Sequence, residues 1–139
     1  SVANSFAPVF ENSHKTLKTE LSCEAVVLCD EKQIRKAVSN LISNAFKYCK
    51  TTVTVACKNE NDKTIIAISD DGDGIDKEDL PHVFERFYTG KKGNTGIGLA
   101  LTKEIIKMHG GEIRVHNENG AVVEITLGNV NGKKNREHL

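Results

Sequence analysis

The segment from Glu31 to Tyr48 constrains the fold more than any other, because its apolar residues recur at the spacing of an α-helix. These residues are Ile34, Ala37, Val38, Leu41, Ile42 and Ala45. A helix with one apolar stripe must cover that stripe with another element of the protein. The segment therefore predicts a helix that packs on a second layer.

Short alternating or apolar segments on both sides of this helix predict β-strands. They are 17–29, which forms two short strands, 51–57, 64–69, 113–116 and 122–127. Turn residues divide the last four into two hairpins, which implies antiparallel neighbours. A short helix is expected at 77–80, and a longer one from Gly96 to the Gly110-Gly111 pair, which suits a C-cap. We therefore predict an α+β fold, a two-layer sandwich with a mixed sheet covered by helices on one face.

Size and charge limit the possible functions. The 139 residues fit one domain, and 19 Lys and Arg residues balance 19 Asp and Glu residues. This balance argues against nucleic acid as a partner, because phosphate backbones call for a basic surface. No apolar run approaches the roughly 20 residues of a membrane span, and the chain begins with Ser1 instead of Met. We expect an excised fragment of a longer protein, and a transmembrane parent is compatible with these observations.

The four cysteines give no sign of a metal site. They form no Cys-x-x-Cys pair, and no histidine stands at zinc-finger spacing from them. We expect Cys23, Cys29, Cys49 and Cys57 to be free buried thiols.

A line of polar residues runs along the first long helix, away from its apolar stripe. Asn40, Asn44 and Lys47 fall within an arc of about 60°, and Tyr48 lies beside them. A solvated surface explains such a line equally well, but asparagine is a mediocre helix former, which favours a functional role. An amide oxygen suits Mg²⁺, which takes few protein ligands and fills its shell with water and phosphate oxygens. A lysine one turn further on would attract the same phosphates.

An acidic, glycine-rich loop follows the strand at 64–69. Asp70 stands at the strand end, where its carboxylate could accept a hydrogen bond from the exocyclic amine of adenine; guanine has a carbonyl there. Gly72 and Gly74 would let the backbone approach a flat ligand. Taken alone, the Asp-Gly pairs are better explained by an ordinary turn, and it is the position after a strand that favours a ligand site. An EF-hand is excluded, because no glutamate stands at the twelfth loop position.

A second glycine loop, 93–98, opens the later helix. Free N–H groups and the helix dipole at such a start attract phosphate, and Lys91 and Lys92 lie just before it. A simple connector is the alternative. A dinucleotide-binding fingerprint does not fit, since Leu101 holds the third glycine position, and no P-loop is present.

The order of these features resembles the catalytic, ATP-binding domain of bacterial sensor histidine kinases, which has the Bergerat fold. The resemblance covers residues 3–127. The matching segments are 40–48 for the N box, 70–75 for the G1 box, 84–88 for the F box and 96–101 for the G2 box.

The resemblance implies a role for each candidate residue. Asn44 would ligate Mg²⁺, and Asp70 would hold the adenine amino group. The other ATP-binding residues would be Asn40, Lys47, Tyr48, Gly72, Gly74, Ile75, Thr95, Gly96, Gly98 and Leu99. Residues 81–95 would form the ATP lid, with 88–95 mobile in the absence of nucleotide.

The sequence departs from the family at two places. Asp71 stands where the family usually has asparagine, and Thr89 where arginine is common. Lys91 or Lys92 would then replace that arginine at the phosphates.

Position 40 distinguishes a kinase from a hydrolase of the same fold. Topoisomerases, mismatch-repair ATPases and chaperones resemble one another in having a glutamate there that activates water. An amide such as Asn40 has no useful basicity near neutral pH. Anti-sigma serine kinases also carry that glutamate, so with Asn40 such a kinase is only a distant alternative. A non-catalytic nucleotide-binding module is a second alternative.

None of the five histidines has the context of a phosphoacceptor, so the fragment should be inactive alone. The resemblance implies as partners a dimerisation segment that carries the phosphorylated histidine, and a response regulator. The fragment would be monomeric and the parent a homodimer. We predict a linker or helix end at 1–12, the ATP-binding domain at 13–127 and a disordered tail at 128–139.

Overall fold

A computed structural model of the chain describes residues 6–21, 32–85 and 97–128. Its helices are α1 (Ala7–Asn12), α2 (Lys32–Tyr48) and α3 (Ile97–Met108), and a 3₁₀ turn spans Leu80–His82. Its strands are β1 (Thr16–Leu21), β2 (Thr52–Glu60), β3 (Lys63–Asp70), β4 (Glu112–Asn117) and β5 (Ala121–Gly128). None of the helices in these segments is long and apolar enough to cross a membrane.

The five strands form one mixed sheet in the order β1-β2-β3-β5-β4. β1 runs parallel to β2, and the remaining neighbours are antiparallel. Both predicted hairpins are present, as β2–β3 and β4–β5. The predicted fold class is therefore confirmed: the chain is an α+β sandwich with a mixed sheet.

The core lies between the sheet and the two long helices. All six apolar residues predicted on the first helix are buried in α2. On the sheet, alternate residues of β2 and β3 are buried, and the register brings Val55 opposite Ile68 and Cys57 opposite Ile66. Because side chains alternate between the two faces of a strand, these residues share the helix-covered face. Sheet and helices thus bury one continuous apolar layer.

The N-terminal helix α1 contributes to this core through Phe10, which is 2% exposed. The ring of Phe10 meets the ring of Phe46 of α2 edge-to-face, with centroids 4.8 Å apart. The ammonium group of Lys15 lies 4.5 Å from the centroid of the Phe46 ring and donates a hydrogen bond to the backbone carbonyl oxygen of Phe46. Residues before β1 therefore pack against the helix that carries the predicted N box.

The structure corrects two further expectations. The short helix predicted at 77–80 is wrong, since 77–79 form a turn and a 3₁₀ turn follows at Leu80–His82. A longer α-helix would need an N–H group at Pro81, which proline lacks.

Cys49 is a free buried thiol as predicted, but Cys57 is disulfide-bonded, so that prediction is wrong for Cys57. Cys23 and Cys29 lie outside the described residues.

Candidate functional site

A cavity opens between α2, the end of β3 and the loop that follows it. α2 supplies Asn44 and Tyr48 to its wall, β3 supplies Asp70, and α3 supplies Leu99. The remaining lining residues are Leu41, Ala45, Ile68, Gly74, Ile75, Asp76, Asp79, Ala121 and Val123. Apolar side chains prevail near the core, so the cavity suits a flat, largely apolar group held by a few polar contacts.

Asp70 lies on the face of β3 that is turned to the core and the cavity. Side chains alternate between the two faces of a strand, and Ile66, Ile68 and Asp70 are each two residues apart, so all three share one face. Its Oδ1 atom accepts hydrogen bonds from the backbone N–H groups of Gly72, at 2.8 Å, and Ala121, at 3.3 Å. No donor in the described part of the chain bonds its Oδ2 atom. One oxygen thus fixes the carboxylate, and the other can accept from a ligand.

Three glycines allow close packing around this carboxylate. A Cβ atom at Gly72 would collide with the carbonyl oxygen of Tyr48, and one at Gly120 with that of Asp70. Gly74 has φ +81°, and a Cβ there would lie 2.8 Å from Oδ1 of Asn117. The glycines at 72 and 74 were predicted to bring backbone close to a ligand; here they also bring it close to α2 and to β4.

The predicted residues of α2 differ in their exposure. Asn44 and Tyr48 are half-buried and line the cavity, and burial raises the pKa of the Tyr48 hydroxyl. Asn40 is half-buried and Lys47 is exposed, and neither lines the cavity. The N box therefore contributes at least Asn44 and Tyr48 to the cavity wall.

Asp71 points away from the cavity and holds the junction of α2 and β2. Its carboxylate accepts from the backbone N–H groups of Lys50, Thr51 and Thr52, at 2.8, 3.0 and 3.1 Å, and from the Thr51 hydroxyl at 2.6 Å. The Thr51 hydroxyl, followed by these backbone groups, holds the pKa of Asp71 well below its usual range. The second acid of the loop thus anchors the protein chain.

The remaining predicted residues cannot all be located. Gly98 lies in the first turn of α3, and Leu99 is buried against the cavity. Lys91, Lys92, Thr95 and Gly96 lie outside the described residues, as do 86–95 of the predicted lid.

Sequence reasoning missed the contribution of the β4–β5 hairpin to the site. Asn117 ends β4 and bonds the loop after β3, and Ala121 begins β5 and bonds Asp70. Glycine at 120 was a visible turn signal, but it gave no indication of which strand the hairpin would meet.

Among the described residues, no three His, Cys, Asp or Glu side chains cluster as a metal site. The predicted ligand Asn44 lines the cavity, and its amide oxygen is compatible with Mg²⁺, which takes few protein ligands.

A protein-family model matches residues 29–130 of the chain and is described as "Histidine kinase-, DNA gyrase B-, and HSP90-like ATPase". Sensor protein RprX of Bacteroides fragilis is 38% identical over 128 residues, which cover 84% of this chain and 25% of RprX. Sensor histidine kinase WalK of Bacillus subtilis is 37% identical over 108 residues, which cover 70% of this chain and 18% of WalK. The chain thus spans a quarter or less of the length of these relatives.

Solved structures share the fold. The catalytic domain of histidine kinase ThkA superposes with a TM-score of 0.79 at 25% identity, over 91% of this chain and 88% of that one. The mycobacterial sensor histidine kinase MprB superposes with a TM-score of 0.74 at 22% identity, over 91% of this chain and 93% of that one.

Proposed function

The chain belongs to the family of histidine kinase-, DNA gyrase B- and HSP90-like ATPases, with sensor histidine kinases as relatives, and we propose that it binds Mg²⁺-ATP and donates the γ-phosphate to a histidine on a separate segment. Asp70 carries this proposal. Asp70 lines the cavity, its Oδ1 atom is held by two backbone N–H groups, and its Oδ2 atom has no hydrogen-bond donor among the described residues. That arrangement suits the exocyclic amine of adenine and would repel the guanine carbonyl.

The phosphate end of the site would lie between α2 and the start of α3. Asn44 offers an amide oxygen, which suits Mg²⁺ as one protein ligand among water and phosphate oxygens. α3 begins at Ile97, where the free N–H groups and the dipole of a 12-residue helix attract anions. When bound, the metal ion would neutralise phosphate charge. Asn40, Lys47, Lys91, Lys92, Thr95, Gly96 and Gly98 remain proposed nucleotide contacts.

A kinase is favoured over a hydrolase by Asn40. It lies one turn before Asn44 on α2, where an acidic residue would be needed to take a proton from water. The amide of Asn40 cannot do so near neutral pH. The domain can therefore position ATP and leave the choice of nucleophile to another segment.

The acceptor would come from the segment that dimerises the parent kinase. In the transfer, an imidazole nitrogen of that segment forms the new N–P bond, the bond between the γ-phosphorus and the ADP oxygen breaks, and the imidazole proton passes to a base of that segment. Four histidines are described here, and none lines the cavity. His82 pairs with Glu85, a ring nitrogen of His109 bonds the Ile105 carbonyl oxygen, and His14 and His116 lie on turns and strand ends remote in sequence from the boxes. His138 lies outside the described residues.

The parent would be a homodimeric, membrane-anchored sensor with a cytoplasmic catalytic part, and a response regulator would accept the phosphoryl group. Residues 1–12 would connect to the dimerisation segment, 13–127 would form the catalytic domain and 128–139 the tail. The relatives named sensor histidine kinases support the sensor-kinase part of this proposal.

Incubation with γ-labelled ATP tests the proposal. The chain alone should stay unlabelled and release little phosphate, and addition of the parent's histidine segment should give acid-labile label on that segment. Strong self-labelling, or rapid hydrolysis abolished by Asn44→Ala, would place the chain in another branch of the fold. Nucleotide binding without any transfer would indicate a non-catalytic module.

A further inference from the structure

Asn117 at the end of β4 makes two hydrogen bonds to a single residue of the loop after β3. Its Oδ1 atom accepts from the backbone N–H group of Ile75 at 2.8 Å, and its Nδ2 atom donates to the carbonyl oxygen of Ile75 at 2.7 Å. Both bonds join positions 42 residues apart. One amide thus pairs with both polar backbone groups of Ile75, as a neighbouring strand would.

The residue that this amide holds belongs to the cavity. Ile75 lines the cavity and packs against the core, and Gly74, just before it, has φ +81°. A Cβ atom at Gly74 would lie 2.8 Å from Oδ1 and 3.2 Å from Cγ of Asn117. The observed position of the Asn117 amide therefore requires glycine at 74, because a side chain there would displace the amide.

The hairpin that carries Asn117 is itself fixed against the same end of β3. Gly120 packs on the carbonyl oxygen of Asp70, and Ala121 donates to Oδ1 of that residue. The hairpin thus contacts the carboxylate through its second strand and the glycine loop through its first. Since Asn117 is itself exposed, its side chain adds little to the apolar core.

We propose that Asn117 is a positioning residue for the nucleotide base: it fixes the Gly74–Ile75 backbone as part of the wall of the cavity that Asp70 also lines. This inference rests on the proposed binding of ATP. Without the two hydrogen bonds from Asn117, the loop at Gly74 and Ile75 must become ordered when the base enters. The entropy lost in that ordering weakens binding. In the proposed binding mode the phosphates lie between α2 and the start of α3, so we expect loss of the Asn117 contacts to affect the base.

Calorimetry with ATP, ADP and GTP on the whole chain tests the assignment, with Asn117→Ala as the main variant. Two lost neutral hydrogen bonds should weaken ATP and ADP binding by about five- to tenfold and narrow the preference for ATP over GTP. The amide of Ile75 should also exchange its hydrogen faster. Asn117→Asp keeps the acceptor and loses the donor, so it provides a milder second variant should the alanine protein fold poorly.

Asn59→Ala is the matched control. Asn59 lies in the β2–β3 hairpin at the opposite end of β3, where its Oδ1 accepts from the hydroxyl of the buried Thr64. The Asn59→Ala variant should lower the thermal midpoint by about as much as the Asn117→Ala variant does. It should leave nucleotide binding unchanged.

The assignment would be overturned if the Asn117 variants kept an ATP affinity within twofold of the wild type and the same ratio of ATP to GTP affinity within twofold. This holds even if their stability fell. Equal losses in Asn59→Ala would overturn it too, because binding would then follow stability. A wild-type chain that bound no ATP would refute the proposed function together with this inference, whereas normal wild-type binding isolates the test of Asn117.

Discussion

Replacing Asp71 with alanine removes one carboxylate that serves four donors at the junction of α2 and β2. A hydrogen bond contributes about 0.5–1.5 kcal/mol net, and more when one partner is charged. The junction is partly open to water, which replaces part of each lost bond, so the low end applies. Four bonds then predict a loss of about 2 kcal/mol in the free energy of unfolding, and a thermal midpoint lower by roughly 8 °C.

The same contacts predict how this difference depends on pH. Hydrogen bonds hold the pKa of Asp71 below that of an unfolded aspartate, which is about 3.9. A lowered folded-state pKa contributes stability that is complete above the unfolded value and is lost as the pH falls through the folded value. The difference in the free energy of unfolding between wild type and Asp71→Ala should stay constant from about pH 7 to 5. It should shrink below about pH 4.

Thermal unfolding followed by circular dichroism across this pH range measures both effects. Asp73→Asn is the control, because the carboxylate of Asp73 makes an exposed 3.3 Å ion pair with Lys50, and such pairs contribute at most about 1 kcal/mol. Asp71→Asn keeps one acceptor oxygen and should lose about half as much as the alanine variant. Equal midpoints for wild type and Asp71→Ala, or a gap that does not change with pH, would refute the anchoring role.

Three further predictions concern the nucleotide and the core. Asp70→Asn should weaken ATP binding by about 1 kcal/mol or more, and wild type should prefer ATP to GTP in calorimetry; equal affinity for the two nucleotides would contradict the role of the carboxylate. Asn44→Ala should abolish most of the Mg²⁺-dependent part of ATP affinity, whereas the exposed Ser43→Ala should not; equal changes with and without Mg²⁺ would exclude Asn44 as ligand. Phe10→Ala should lower the free energy of unfolding in urea by about 3 kcal/mol, against at most about 0.5 for Val9→Ala, which is 46% exposed; a small loss would mean that α1 does not stabilise the fold.

Local pattern was enough to predict the elements and part of the site. The stripe on α2 depends only on the helical repeat, and all six of its apolar residues are buried as predicted. The hairpins follow from alternation interrupted by turn residues, and they occur where predicted. Asn44, Tyr48, Asp70 and Leu99 were chosen from motifs and share one cavity. Such predictions succeed because the residues that carry the signal are neighbours along the helix or strand.

Tertiary structure alone decided how these elements meet. Two acids stand in succession at the end of β3; the sequence selected Asp70 for the site, but only the folded chain shows that Asp71 anchors the junction of α2 and β2. Strand order places β5 beside β3, which brings Asn117 to Ile75 across 42 residues of chain. The sequence by itself determined the two long helices and the two hairpins, because those depend on short-range periodicity. Pairing between distant segments depends on the combined burial of many side chains, and no local spacing encodes it.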